Sequence, residues 1–359
     1  MLRISLMAVL GALVLAAPAS GNDASEDTFA SFAPHSDKRD QRLDFGNWTE
    51  LLSAYVLSMG PPLRKMPPGG AATPRRDGHN SMYRLEGAMV AFDLMDAETI
   101  ANIARYRREL EAVAGDIDLQ SLPRNEQLAY WLNLHNVALV EKIAAEWPIY
   151  EPREILVDGT PLDEARFILV NGVALSPRDI REQIVFRHWK SPEVFYGFWR
   201  GEIGGPAMQR EAFDGRDVAI QLGRAAREFA NSRRGVERRG DTLHVSRFYA
   251  EVAPFFFPDF EADLRAHLGK HVEGKVSRML ADTKKVDPSL YEHDIADLSG
   301  GRRPNLFYAN GRISQPIANL LAQRRSKFAY IARKMPRTGT VTFSNIDLPG
   351  DPPNKDEVE

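Results

Sequence analysis

A histidine and two asparagines fall within four residues in N-E-Q-L-A-Y-W-L-N-L-H-N, Asn125 to Asn136. Histidine titrates near neutral pH, so His135 is of the residue type that serves as a general base. Asn133 and Asn136 can each donate and accept, which suits them to orienting a ligand or tying down backbone. Their setting is apolar. At about 100° per residue, Leu128, Leu132, Asn136, Leu139 and Ile143 share one stripe, and Tyr130, Leu134 and Val137 cover much of the opposite side. A helix apolar nearly all round is central. A buried amide left unpaired costs ~1–3 kcal/mol, so Asn136 must find partners. Two readings stay open: a polar network that fixes neighbouring backbone, or a pocket beside Trp131 lined by His135 or Asn133. Glu126 reads as a first-turn acid complementing the helix dipole.

Other chemistries find less support. His267 and His271, at i and i+4, can share a helix face, but the run H-L-G-K-H lacks the acidic base of a zinc-protease helix. With no third ligand in view they read as a solvated pair, and no metal is expected. No G-x-S-x-G occurs. The glycines of W-R-G-E-I-G-G-P, Trp199 to Pro206, suit a tight loop better than a phosphate cradle. The arginines from Arg224 to Arg239 read as a solvated helix end and hairpin. No cofactor motif is present.

These residues need elements to hold them. The spacing predicts a helix over 122–146, with Pro123 in its first turn and Pro148 ending it. Trp48, Leu51, Leu52, Tyr55 and Met59 predict an earlier helix stopped by Gly60-Pro61-Pro62; residues 60–80 read as a long loop, Tyr83–Phe92 as a strand and Ala97–Val113 as a helix. Asp158-Gly159 and Asn171-Gly172, each beside β-prone runs, predict a small antiparallel meander over 154–175. Ser176-Pro177-Arg178-Asp179 carries the signals of a capped helix start. A helix over Val218–Ala230 and a hairpin at Gly240-Asp241 follow. The fold class is α+β, predominantly helical with a small antiparallel sheet.

Arg3, the apolar run Ile4–Ala17 and the small residues Ala17-Pro18-Ala19 predict a signal peptide over 1–21, and hence a periplasmic or secreted protein without a membrane span after its removal. A flexible leader over 22–43, a main domain over 44–300, a helical extension over 301–336 and a disordered acidic tail over 337–359 complete the expected organisation. The chain has no cysteine, which excludes disulfides and a thiol nucleophile, and its net charge of −3 gives no reason to expect nucleic acid as a partner.

The run Asn125–Asn136 resembles the signature helix of the domain of unknown function 547 family. N-G-V-A-L-S-P-R-D-I, S-P-E-V-F-Y-G-F and V-S-R-F-Y extend the resemblance, with Tyr83–Val90 and the stretch at Tyr291 fitting more loosely. Relatives show an Ile-Glu-His step and a run His-Phe-Ala-Leu-Asn-Cys-Gly with a second Cys before Pro. Here Glu182 stands at the His of that step, Phe195 at the second His, Arg200 at the first Cys and Gly205 at the second, before Pro206. The resemblance therefore implies a scaffold whose reactive positions are replaced. It favours a non-catalytic binding or structural module, with Trp131, Asn133, His135, Arg200 and Glu202 as candidate ligand contacts and Glu126 and Asn136 as structural polar residues. The planar fork of Arg200 suits a small anionic or cell-envelope ligand. The competing reading is a hydrolase or transferase without a thiol, using His135 as base and Glu126 or Glu202 as a second acid–base group.

Overall fold

The computed structural model describes residues 28–35, 41–64, 81–303 and 314–334. The expected signal peptide and acidic tail, and most of the expected 60–80 loop, lie outside them. At the centre runs α3 (Arg124–Glu146), in which every residue from Glu126 to Glu141 is buried. Pro123 is its N-cap rather than a first-turn residue, and the Pro123 carbonyl accepts from Glu126 and Gln127. Before it come α1 (Gly46–Tyr55), β1 (Val56–Ser58), β2 (Ala88–Val90) and α2 (Ala97–Asp116). The first helix stops at Tyr55, sooner than its periodicity suggests, because Val56–Ser58 pairs antiparallel with Ala88–Val90. Backbone pairing overrides the helical spacing of Met59, and the expected strand Tyr83–Phe92 shrinks to three residues.

Helix α2 lies along α3, stitched by Arg107, which donates to Glu141 on α3 and to Glu111 on its own helix. The Tyr130 hydroxyl reaches the Leu110 carbonyl at 3.0 Å. Within the leader expected to be flexible, residues 28–35 are packed: Phe29 and Phe32 are buried, and Phe32 meets Trp131 edge-on at 5.3 Å.

The two turn dipeptides form hairpins, β3 (Leu156–Val157) with β4 (Thr160–Pro161) and β5 (Ile168–Val170) with β6 (Val173–Leu175). Both turns take the left-handed conformations that Asp-Gly and Asn-Gly tolerate: φ is 50° at Asp158 and Asn171, 80° at Gly159 and 78° at Gly172. The hairpins are separate sheets rather than one meander. Turns between Pro161 and Ala165 interrupt the chain before β5 and place Asp163 between them. Ser176 and Asp179 exchange side-chain and backbone hydrogen bonds, each at 3.0 Å, closing the anticipated capping box. The helix that follows is π-helical over Asp179–Val185 and continues through Phe186–His188. A 3-10 helix, Pro192–Gly197, then leads to α4 (Val218–Asn231).

The second half holds β7 (Val236–Arg239), β8 (Thr242–Ser246), α5 (Arg247–Phe256), α6 (Phe260–His271), α7 (Gly274–Ala281) and β9 (Lys285–Leu290). The hairpin at Gly240 gains β9 as a parallel third strand beside β8. In the expected extension, α8 (Gln315–Lys334) docks on the main domain: Lys327 donates to the carbonyls of Met59 and Leu85, and Arg324 to that of Ser58. The fold is α+β and predominantly helical, with several two- and three-stranded sheets. Among the described residues, no helix is long and apolar enough to cross a membrane.

Candidate functional site

The two buried asparagines act as strand substitutes. Asn133 donates to the Phe213 carbonyl at 2.8 Å and accepts from the Phe213 N–H at 3.0 Å. Asn136 donates to the Gly197 carbonyl at 2.9 Å and accepts from the Trp199 N–H at 3.1 Å. Each satisfies a peptide segment that crosses α3 without a β-partner, which is why amides occupy so apolar a helix. The Gly197 backbone comes so close that a side chain there would meet Leu132 and Leu222 within 3 Å.

His135 is fully buried. Its Nε2 lies 3.1 Å from an Arg181 guanidinium nitrogen, which can only donate, so Nε2 accepts and the ring hydrogen sits on Nδ1. That hydrogen is donated to Asn136 Oδ1 at 3.0 Å. Burial, and then the Arg181 charge, push the His135 pKa down to about 3. The ring is thus neutral, and both nitrogens are engaged.

Arg181 lies on the π-helical segment, a local widening common at functional sites. It grips Asp163 with two parallel bonds of 2.7 Å. Burial alone would raise Asp163, but the charge and hydrogen bonds of Arg181, with Arg200 behind, hold it well below the usual carboxylate range. Arg200 reaches Asp163 at 3.9 Å, pairs with Glu251 of α5 at 2.5 Å and lies over the Phe248 ring at 4.8 Å. Burial would lower the Arg200 pKa; Asp163 and Glu251 more than offset it.

Over this network opens a cleft lined by Arg181, Glu182, Phe195, Phe198, Arg200 and Glu251, among others. Its enclosed space is about 30 Å³, room for a water or two, and it opens to solvent. Burial pushes Glu182 upward. Among the described residues that line the cleft, none is a serine, threonine, lysine or histidine.

Of the residues singled out from sequence, His135 and Arg200 belong to one network, bridged by Arg181 and Asp163. Trp131 packs against Phe32 and Tyr130, and Asn133 serves the Phe213 backbone. Glu202 pairs with His293 at 3.2 Å. Glu126 is buried and accepts from the Leu43 N–H at 3.3 Å. Asp163, Arg181 and Glu251 are the residues of this network that sequence reasoning missed. Asp163 carries no motif, and only the turn between the hairpins delivers it to Arg181. The arginines near Arg234 are paired as well, with Glu228, Glu237 and Asp282, and Arg234 is buried rather than solvated.

The histidine pair also departs from expectation. His267 and His271 are 3% and 8% exposed, not solvated. Leu264, His267, Leu268 and His271 form the i, i+3, i+4, i+7 stripe of α6, so the face that carries the histidines is its core face. Glu193 of the 3-10 helix completes the group, its carboxylate 2.9 Å from His271 Nε2.

No curated protein and no solved structure matches the chain. A family model does, over residues 119–230, described as protein of unknown function, DUF547. The matched stretch runs from the turn before α3 to the end of α4 and contains His135, Asp163, Arg181 and Arg200; Phe248, Glu251 and the histidine pair lie beyond it. Over that segment the chain is similar to the DUF547 family.

Proposed function

We propose that the chain is an exported binding module that performs no chemistry at the Arg181–Arg200 corner and takes a small anionic ligand, a carboxylate or phosphate of the cell envelope, at Arg200. The observation that carries this reading is the engagement of His135 by Arg181. A base must offer a free lone pair, and the lone pair of His135 already holds a cationic donor. The sequence resemblance points the same way, since Glu182, Phe195 and Arg200 stand where relatives present His, His and Cys. Arg181 is committed to Asp163 on both of its forks. Arg200 is more open than Arg181, and its partner Glu251 has 39% of its side chain exposed. A ligand anion would take the place of Glu251 on the guanidinium fork. Support for export comes from Ile4–Ala17 and the small residues after it.

Thermal-shift measurements against muropeptides, dicarboxylates and glycerophosphate test the binding. A shift is expected that Arg200→Ala abolishes and Glu251→Gln enlarges, because the internal competitor is then uncharged. Absence of any shift, or one indifferent to both substitutions, removes the ligand. Turnover of peptides, esters or muropeptides that His135→Ala abolishes in a folded protein would replace the whole reading by an enzymatic one. N-terminal sequencing of the mature chain checks export, with Ser20 or Asn22 expected as the first residue.

A further inference from the structure

We propose that Glu193, His267 and His271 form a binding site for a divalent first-row metal ion of the zinc type. One ligand atom from each residue lies within 4.8 Å of the other two, and the burial of both histidines fixes their rings from behind. Two imidazoles and a carboxylate are the ligand set of open zinc sites, in which a further position is left to water. Atoms sharing one ion at ~2.0–2.2 Å stand only about 3.3 Å apart in tetrahedral geometry, so small side-chain rotations are needed to close the set.

The decisive feature is the proton arrangement. The Tyr196 hydroxyl donates to Tyr249 at 3.2 Å, so its oxygen is left to accept from His267 Nε2 at 2.9 Å. The ring hydrogen of His267 is then on Nε2, and Nδ1 presents a bare lone pair. That atom is buried and has no hydrogen-bond partner. It faces the Glu193 carboxylate at 3.9 Å, too far for a hydrogen bond. Two electron-rich atoms face each other in the interior with nothing positive between them, an arrangement that a cation resolves. Tyr196 would act as the outer-shell acceptor that sets tautomer and ring orientation, the usual companion of a metal-bound histidine. On the other side, His271 Nε2 directs its hydrogen at Glu193; when the ion takes that position, the neutral ring carries its hydrogen on Nδ1 instead. The Glu193 side chain is 22% exposed, which gives the ion a way in.

The site is independent of the anion cleft, although the 3-10 helix Pro192–Gly197 serves both: Phe195 lines the cleft and Glu193 and Tyr196 face the histidines. The test uses the untagged full-length chain, stripped with a chelator and titrated with Zn²⁺, with Co²⁺ as the absorbing probe. One ion per chain is expected, with visible Co²⁺ bands of a low-coordinate nitrogen and oxygen site. Glu193→Gln and His271→Gln should each weaken Zn²⁺ by more than the ~10–100-fold that follows loss of an outer-shell partner. In the wild-type chain, Zn²⁺ should shift the ring resonances of His267 and His271 by NMR, a readout that needs no variant to fold. No saturable one-to-one binding, unshifted ring resonances, or equal affinity in both folded variants overturns the proposal.

Discussion

Two buried imidazoles, His135 against Phe198 and His267 against Tyr196, differ in what meets their lone pairs. Both rings are held neutral, His135 with its pKa down to about 3 and His267 to about 4, in each case chiefly by burial. The next cause differs: Arg181 for His135 and the neighbouring His271 for His267. At His135 the arginine also supplies a donor, so the lone pair is used and the ring becomes part of the scaffold. At His267 the neighbours are another imidazole and a carboxylate, and Nδ1 is left without a donor. Burial is common to both, so burial alone says nothing about role. The sign of the nearest partner separates a structural histidine from a prospective ligand.

The comparison can be broken at Asp163 first. Asp163→Asn leaves Arg181 and the inner side of Arg200 without their shared counter-charge, and breaking a buried pair in this way costs about 3–5 kcal/mol. Urea denaturation at neutral pH should show that loss; a change within error would mean the corner is far better solvated than its burial indicates. Asn136→Leu should come next. It leaves the Gly197 carbonyl and Trp199 N–H unpaired in the core, at ~1–3 kcal/mol each before relaxation. An unaltered midpoint would show that water replaces the amide.

The pH dependence sharpens the contrast. A histidine whose folded pKa is depressed binds fewer protons folded than unfolded. Its contribution is fully present above the unfolded value of ~6.5 and is lost as pH falls through that value toward the folded one. For His135 the window runs down to about 3 and for His267 to about 4. Stability should therefore fall with acid below neutral pH, and His135→Gln should flatten part of that slope. Imidazole resonances give a direct check: His135 should not titrate above pH ~5, because a folded pKa far below ~6.5 leaves it neutral there. Titration near neutrality would restore it as a base. The smallest effect belongs to Arg200→Ala in the unliganded protein, roughly 0–1 kcal/mol, because its pair with Glu251 is partly open to solvent. A much larger loss would make Arg200 a structural cation instead of a ligand contact.

Much of the frame could be read from residue order, because it rests on local physics. Apolar residues on all faces of Glu126–Glu141 require a central helix. The pairs Asp158-Gly159 and Asn171-Gly172 take left-handed conformations that tighten hairpins whatever surrounds them. The Ser176–Asp179 capping box closes within four residues. Interactions within such short spans carry their own information.

The sites obey a different rule. Asp163, Arg181, Arg200 and Glu251 span almost ninety residues, and neither their types nor their spacing announces that they meet. Glu193 joins His271 across 78 positions, which is why two histidines read as a solvated pair acquire a third ligand atom only when α6 turns its apolar stripe inward. The sequence by itself determined the central helix, the hairpin turns and the need for Asn136 to be satisfied. Tertiary structure decided which cation meets which carboxylate, and which imidazole keeps an unused lone pair. Local geometry acts over a few residues, whereas the charge partner of a buried group is chosen by how distant elements pack.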